Sequence, residues 1–301
     1  MFFKERIPTK DLERRDPNQP RMSIFFELLR RKFVNLMKVN LLYILGAIPT
    51  IAIVMFVMSL FVNPVMNSMT TAIENVLGIG AADFSNKDFA TYYVMIDAGL
   101  RLFLTLGFLI FLGMGPISAG FNYIMRNYAR EDYAWILSDL FDHSKKNFGQ
   151  ALAVFVIDLI VFCLIIFAFV FYVNQPGIMQ VFGYTVFGVG LVFAMMHLYI
   201  YPMMVTFRLT VKEIYKNAFF LAFAEAPKNL LLIVIMALFH LVLPYIMISC
   251  GWAAGWLLLF IIAELVFTIS ATGFMTNFFI YPTIEKYINE AEEKASSDIN
   301  L

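Results

Sequence analysis

Cysteine, histidine and charge are all scarce in this sequence, and each scarcity removes a class of chemistry. Two cysteines, Cys163 and Cys250, are too few and too far apart for a disulfide framework or a cysteine-built zinc site, so both read as small packing residues. Three histidines with no HExxH pattern leave a metal hydrolase without ligands. Gly78-Ile79-Gly80-Ala81-Ala82-Asp83 has the glycines of a phosphate loop but lacks its lysine and helix, and reads as an extracellular turn. The expectation is therefore a protein that is not an enzyme and takes no metal and no cofactor. Charged residues make up only 15% of the chain, against about 25% in soluble domains. Lys plus Arg equal Asp plus Glu at 22 each, so bulk charge points to no nucleic-acid partner.

What the sequence has instead is hydrocarbon: 61% hydrophobic residues, with 33 Phe and 18 Met. Apolar runs of about 20 residues cross a bilayer as helices. The runs predict an all-α membrane protein with six transmembrane helices at about 40–62, 94–124, 151–173, 179–206, 230–250 and 255–281. Residues 1–21, with Pro8, Pro17 and Pro20 among charges, read as a disordered cytoplasmic leader without a cleavable signal. Residues 22–38 read as an interfacial helix whose Phe25, Leu28, Leu29, Phe33 and Leu36 face lipid while Arg30, Arg31, Lys32 and Lys38 reach phosphates. The transmembrane domain is placed at 22–290 and a cytoplasmic tail at 291–301. Basic residues set the orientation. Ten precede the first span, four lie at 126–149, four at 207–229 and two in the tail, which leaves Lys87 and Arg101 for the other side. The crowded side is cytoplasmic, with both termini on it.

The chain also hints at a repeat. Spans two, four and six each carry a proline near the cytoplasm, at Pro116, Pro202 and Pro282, and Lys38-Val39-Asn40, Lys146-Asn147 and Lys228-Asn229 precede spans one, three and five. Three parallel hairpins, each introduced by an amphipathic cytoplasmic helix, would give this layout. So would the general preference for a basic residue and Asn at any cytoplasmic helix start.

Ionisable groups inside spans cost about 2.5–3.5 kcal/mol on insertion scales and are candidate sites for that reason. Four stand out as an intramembrane polar site: Glu264, His240, His197 and Asp158. A lone carboxyl at the depth of Glu264 is expected to be protonated or hydrogen-bonded, with His240 or His197 as partner. Such a pair binds a proton, a cation or a polar solute, or serves only to fix helix packing. Asp158 lies near the cytoplasmic boundary, where snorkelling or pairing with Lys145 or Arg126 is expected rather than a solute site. His197 continues a stripe of Gly183, Gly190 and Ala194 that allows close helix approach. His143, beside Asp139 and Asp142, reads as solvated. Asp97 and Arg101 form a helical i, i+4 pair at the outer mouth of span two.

The cytoplasmic segment 126–149 interleaves Tyr128, Tyr133, Trp135, Leu137, Leu140 and Phe141 with Arg126, Arg130, Lys145 and Lys146. Aromatics flanked by cations suit anchoring to the lipid bilayer. They equally suit docking on another membrane protein, such as a permease.

Several of these features together resemble one family. They are Asn40-Leu41-Leu42 with Pro49-Thr50, Gly115-Pro116 through Ala119-Gly120, and Arg126-Asn127-Tyr128-Ala129-Arg130-Glu131. Asp139-Leu140-Phe141, Lys145-Lys146-Asn147, Tyr201-Pro202-Met203-Met204 and Lys216-Asn217-Ala218 complete the set. The resemblance is to the YesL-like bacterial integral membrane proteins, a domain family of unknown function (DUF624 type), over roughly residues 22–290. It is most specific at 115–147. The resemblance implies a multi-pass protein of the bacterial plasma membrane in Gram-positive company with carbohydrate-uptake systems, and it brings no catalytic residues. The expected function is an accessory or regulatory component of such a membrane system. The alternative is a small-solute or proton-coupled transporter using Glu264 with His240 and His197.

Overall fold

Long apolar runs with few helix breakers dictate long helices, and a computed structural model shows them. It describes residues 19–77, 107–173, 175–244, 246 and 254–299. Among these there is helix and no strand. Four helices are long and apolar enough to cross a membrane, at Arg21–Leu60, Phe148–Val173, Ile178–Thr206 and Leu258–Tyr287. A fifth is added if Val211–Ala224 and Ala226–Val242, bent by 97° at their junction, count as one span. These are the helices of a membrane-embedded protein. The leader 1–18, the 78–92 part of the outer loop, the first half of the second expected span with Asp97 and Arg101, and Cys250 lie outside the described residues.

The first helix, α1 (Arg21–Leu77), corrects the reading of a separate interfacial helix. It continues unbroken for 57 residues, because Lys38-Val39-Asn40 contains neither glycine nor proline to stop it. The face expected to lie on lipid turns partly inward. Phe25 stacks on Phe274 with ring centroids 5.6 Å apart, and Leu28 and Leu36 are fully buried. Two of the expected phosphate-seeking cations find protein partners, Arg31 at 2.6 Å from Glu131 and Lys32 over the Tyr128 ring.

The helix α2 (107–112) and α3 (Pro116–Ala129) are halves of one run broken at Gly113-Met114-Gly115. Gly113 and Gly115 have φ of +95° and +68°, a left-handed backbone that side chains resist. Pro116 then has no N–H to return to Leu112, so the ladder cannot cross the break. The loose ends are met locally: the Met114 N–H donates to Ser118 Oγ at 2.7 Å and Thr50 Oγ1 donates to the Met114 carbonyl at 3.2 Å. The short α4 (Ile136–Lys146) folds back on α3, and the Leu140 carbonyl comes so close to Gly120 that a Cβ there would lie 1.9 Å from it.

Next, α5 (Phe148–Val173) and α6 (Ile178–Thr206) form an antiparallel hairpin. Its register is readable from the small-residue stripe, since Gly183 sits against Val173 and Gly190 against Ile165. One heptad further along α6, His197 meets Asp158. The helix α7 (Val211–Ala224) opens with a capping box of Thr210 and Glu213. It leads into α8 (Ala226–Ala237), which widens into a π-helical turn, Leu238–Val242. The last rod comprises α9 (Ala254–Ala263), a second π-helical turn, Glu264–Thr268, and α10 (Ile269–Ile299). One apolar core gathers α1, α3 and α10 around Phe108, Tyr128 and Phe274; another surrounds α6 with Tyr199, Ile200 and Ile214.

Candidate functional site

Both π-helical turns carry an ionisable residue, and the two residues face each other. A π turn accommodates one extra residue and breaks the regular ladder, a feature found often at functional positions. His240, in the first, is buried and places Nδ1 3.0 Å from each carboxyl oxygen of Glu264, which begins the second. His240 Nε2 lies 3.1 Å from Thr272 Oγ1 on α10. The carbonyls freed at Glu264 and Leu265 accept from Asn40 Nδ2 on α1 at 2.9 and 2.8 Å, and Asn40 Oδ1 accepts the Ser270 N–H at 2.7 Å. One buried amide side chain therefore plugs the bulge.

A second acid–histidine pair lies on the α5–α6 hairpin. His197 Nε2 is 2.8 Å from Asp158 Oδ1, off the line of a straight hydrogen bond, and both side chains are buried. His197 Nδ1 lies 2.8 Å from the Phe193 carbonyl, which can only accept, so Nδ1 carries a proton. Tyr215, from α7, donates to Asp158 Oδ1 at 2.5 Å. Asp158 Oδ2 has no hydrogen-bond partner among the described residues.

Between the pairs is a cavity of about 70 Å³. Its wall includes Tyr43, Gly113, Ser118, His197, Tyr201 and Thr272, so it reaches a member of one pair and the hydroxyl partner of the other. A water needs at least about 10–15 Å³ of such space, so there is room for several waters or a solute of a few heavy atoms. Tyr43 and Ser118 hydroxyls bond each other at 2.7 Å. Tyr201, only 3% exposed, has a hydroxyl with no hydrogen-bond partner among the described residues. The break at Gly113–Gly115 brings α2's C-terminal end to the same wall.

Of the four intramembrane residues singled out from sequence, the structure brings His240 to Glu264. It does not bring His197 there, because the hairpin register assigns His197 to Asp158. Asp158 in turn pairs with neither Lys145 nor Arg126. Arg126 turns inward, donating to the Val205 carbonyl at 2.9 Å and to Thr206 Oγ1 at 3.1 Å, while Lys145 and Lys146 are exposed. Arg130 lies over the Tyr281 ring and 3.5 Å from Asp132. Trp135 and Phe141 are exposed, as are Tyr133 and Leu137. Tyr128 and Leu140 from the same segment are buried instead. His143 is half-buried: its ring stacks on Tyr123 at 3.4 Å, and burial lowers its pKa, with Asp139 acting the other way. Tyr215, Tyr201, Thr272 and Asn40 were not singled out as site residues. Asn40 offered a signal, as an amide at the head of an apolar run. No group of three His, Cys, Asp or Glu is placed to hold a metal among the described residues.

Residues 98–169 match the family model described as "Protein of unknown function, DUF624", which makes this stretch of the chain DUF624-type. The matched stretch includes the α2–α3 break, α4 and Asp158. No curated protein and no solved structure matches the chain.

Proposed function

We propose, starting from a DUF624-type segment within a bundle of apolar helices, that this membrane protein binds a small polar solute in its core and moves it across the bilayer. Supporting this is one arrangement, a cavity that receives His197 of one acid–histidine pair, Thr272 beside the other and the unpartnered Tyr201 hydroxyl. Buried polar groups are normally satisfied, so orphaned ones beside a void favour an occupant. A helix broken at the same wall suits such a site, as in transporters with discontinuous helices. In this reading the protein is not an enzyme, and its six spans lie in a bacterial plasma membrane with both termini cytoplasmic and paired as three hairpins. The test is osmotic swelling of proteoliposomes with glycerol and urea as probes. Glu264→Gln is expected to slow probe permeation about 10–100-fold, the worth of a charged hydrogen bond of about 1.5–3 kcal/mol. Permeation equal to that of the unmodified protein would remove the assignment.

A second reading has its own observation. Tyr133, Trp135, Leu137 and Phe141 project outward at α4 beside Lys145 and Lys146. This supports an accessory or regulatory role, with the α4 face docked on a permease of a system such as carbohydrate uptake. Mild-detergent purification followed by mass spectrometry tests it. A stoichiometric permease that is lost in the Trp135→Ser, Phe141→Ser double variant is the expected result, and a partnerless preparation is the contrary one.

A further inference from the structure

The donor and acceptor roles around the two histidines leave each ring one proton short of a consistent hydrogen-bond pattern. In the first pair, Thr272 Oγ1 lies 3.0 Å from the carbonyls of Thr268 and of Ile269. Carbonyls only accept, so with its single hydroxyl hydrogen shared between them Thr272 accepts from His240 Nε2–H. That leaves His240 Nδ1 facing both oxygens of Glu264 at 3.0 Å. A bare ring nitrogen against a carboxylate would set lone pairs against lone pairs. One further proton has to lie there, on the ring or on the acid.

The second pair gives the same result with the ring reversed. His197 Nδ1–H is committed to the Phe193 carbonyl, and Nε2 faces Asp158 Oδ1 at 2.8 Å. The Tyr215 hydroxyl hydrogen is spent on that oxygen and cannot serve the ring. Nε2 has no aligned hydrogen-bond partner among the described residues, but a bare ring nitrogen 2.8 Å from a carboxylate oxygen would be repelled by it, so this pair too holds one proton, on the ring or on the acid. Among the described residues, no Lys or Arg stands within ion-pair distance of either carboxyl. The other titratable groups facing Asp158 and His197 are Tyr215 of α7, Tyr201 of α6 and, across the cavity, Tyr43 of α1. No other titratable group is in hydrogen-bond contact with Glu264 or His240 among the described residues; their polar neighbours are Asn40, near the Glu264 backbone, and Thr272 on the ring.

We infer that Asp158–His197 and Glu264–His240 each bind one exchangeable proton, so that the core is a two-proton site bordering the cavity. When a proton passes to cavity water, a neutral imidazole and a carboxylate remain, and the pair changes from net zero to one negative charge. His197 lines the cavity itself and so does Thr272, the hydroxyl partner of His240, so cavity water touches one pair directly and the other through Thr272. The inference rests on the transport reading only for the use of these protons, which would make solute movement proton-coupled; the proton content stands independently.

The chain's three histidines make the test direct. Full-length protein labelled with ¹⁵N in histidine and ¹³C in the Asp and Glu carboxyls is placed in lipid bilayers and studied by solid-state NMR at neutral pH. Each pair is expected to show an imidazolium with a carboxylate, or a neutral imidazole with a carboxylic acid. Asp158→Asn is expected to remove the extra proton from the His197 pair alone, and Glu264→Gln from the His240 pair alone. Neutral rings beside ionised carboxylates in the unmodified protein would overturn the inference whether or not the variants fold. Two bound protons with no glycerol or urea permeation would end the transport reading and leave this one standing.

Discussion

Tyr215 donates a 2.5 Å hydrogen bond to Asp158, which ties α7 to the α5–α6 hairpin at the hairpin's only buried carboxylate among the described residues. Hydrogen bonds to charged groups contribute about 1.5–3 kcal/mol. Tyr215→Phe should therefore lower resistance to denaturing detergent by about that amount and loosen α7 in particular, as read by hydrogen exchange across Val211–Ala224. Faster exchange spread evenly over all helices would contradict this placement.

Gly120 and Gly149 make a matched pair. A Cβ at Gly120 would meet the Leu140 carbonyl at 1.9 Å, whereas nothing lies within 4 Å of one at Gly149. Gly120→Ala should cost at least about 1–3 kcal/mol, the usual range for overpacking, because backbone cannot rotate away as a side chain does. It should also expose the Lys145–Lys146 bond to trypsin. Gly149→Ala, within helix α5, should be neutral or stabilising by up to about 1 kcal/mol.

Asn40→Ala removes three hydrogen bonds at once, two to the carbonyls of Glu264 and Leu265 and one from Ser270 N–H. Each buried group left unpaired costs about 1–3 kcal/mol. The π-helical turn should then relax toward α-helix and rotate Glu264 away from His240. The His240 ring nitrogens, followed by NMR, should lose their carboxyl partner even though neither member of the pair has been changed.

His143 gives a pH dependence with a definite sign. Burial against Tyr123 lowers its folded-state pKa, assisted by Lys146 and Arg126 and opposed by Asp139 and Asp142. The unfolded chain then binds the proton more readily than the folded one, so stability is retained above the ordinary value of about 6.5 and lost as pH falls through it. Thermal unfolding midpoints should drop between about pH 7.5 and pH 5.5. That part of the drop which disappears in His143→Phe belongs to this ring, and an unchanged slope in the variant would show that it has no share.

Much of this was legible in the chain. The apolar runs announce the helices because hydrocarbon admits little else, and the depth of Glu264 marks it as needing a partner, for which the sequence offers His240 and His197 alike. The partner of His197 was harder to see, although the signal existed. With Gly190 packed on Ile165, Asp158 lies seven residues before Ile165 and His197 seven after Gly190, so the antiparallel hairpin brings them level. The stripe of Gly183 and Gly190 sets the close spacing that lets them touch. The inward turn of Arg126 was not legible, because the same basic–aromatic pattern describes a surface helix and one whose end is covered by α6. Nor were the π-helical turns, which depend on Asn40 from a helix more than two hundred residues away in sequence.

At 1.5 Å per residue the 57 residues of α1 extend about 85 Å, nearly three times the roughly 30 Å of hydrocarbon they cross. Asn40 is seated a third of the way along this strut, at the plug of the π-helical turn. Through it, the position of α1 along its axis helps to set the backbone that holds Glu264 beside His240.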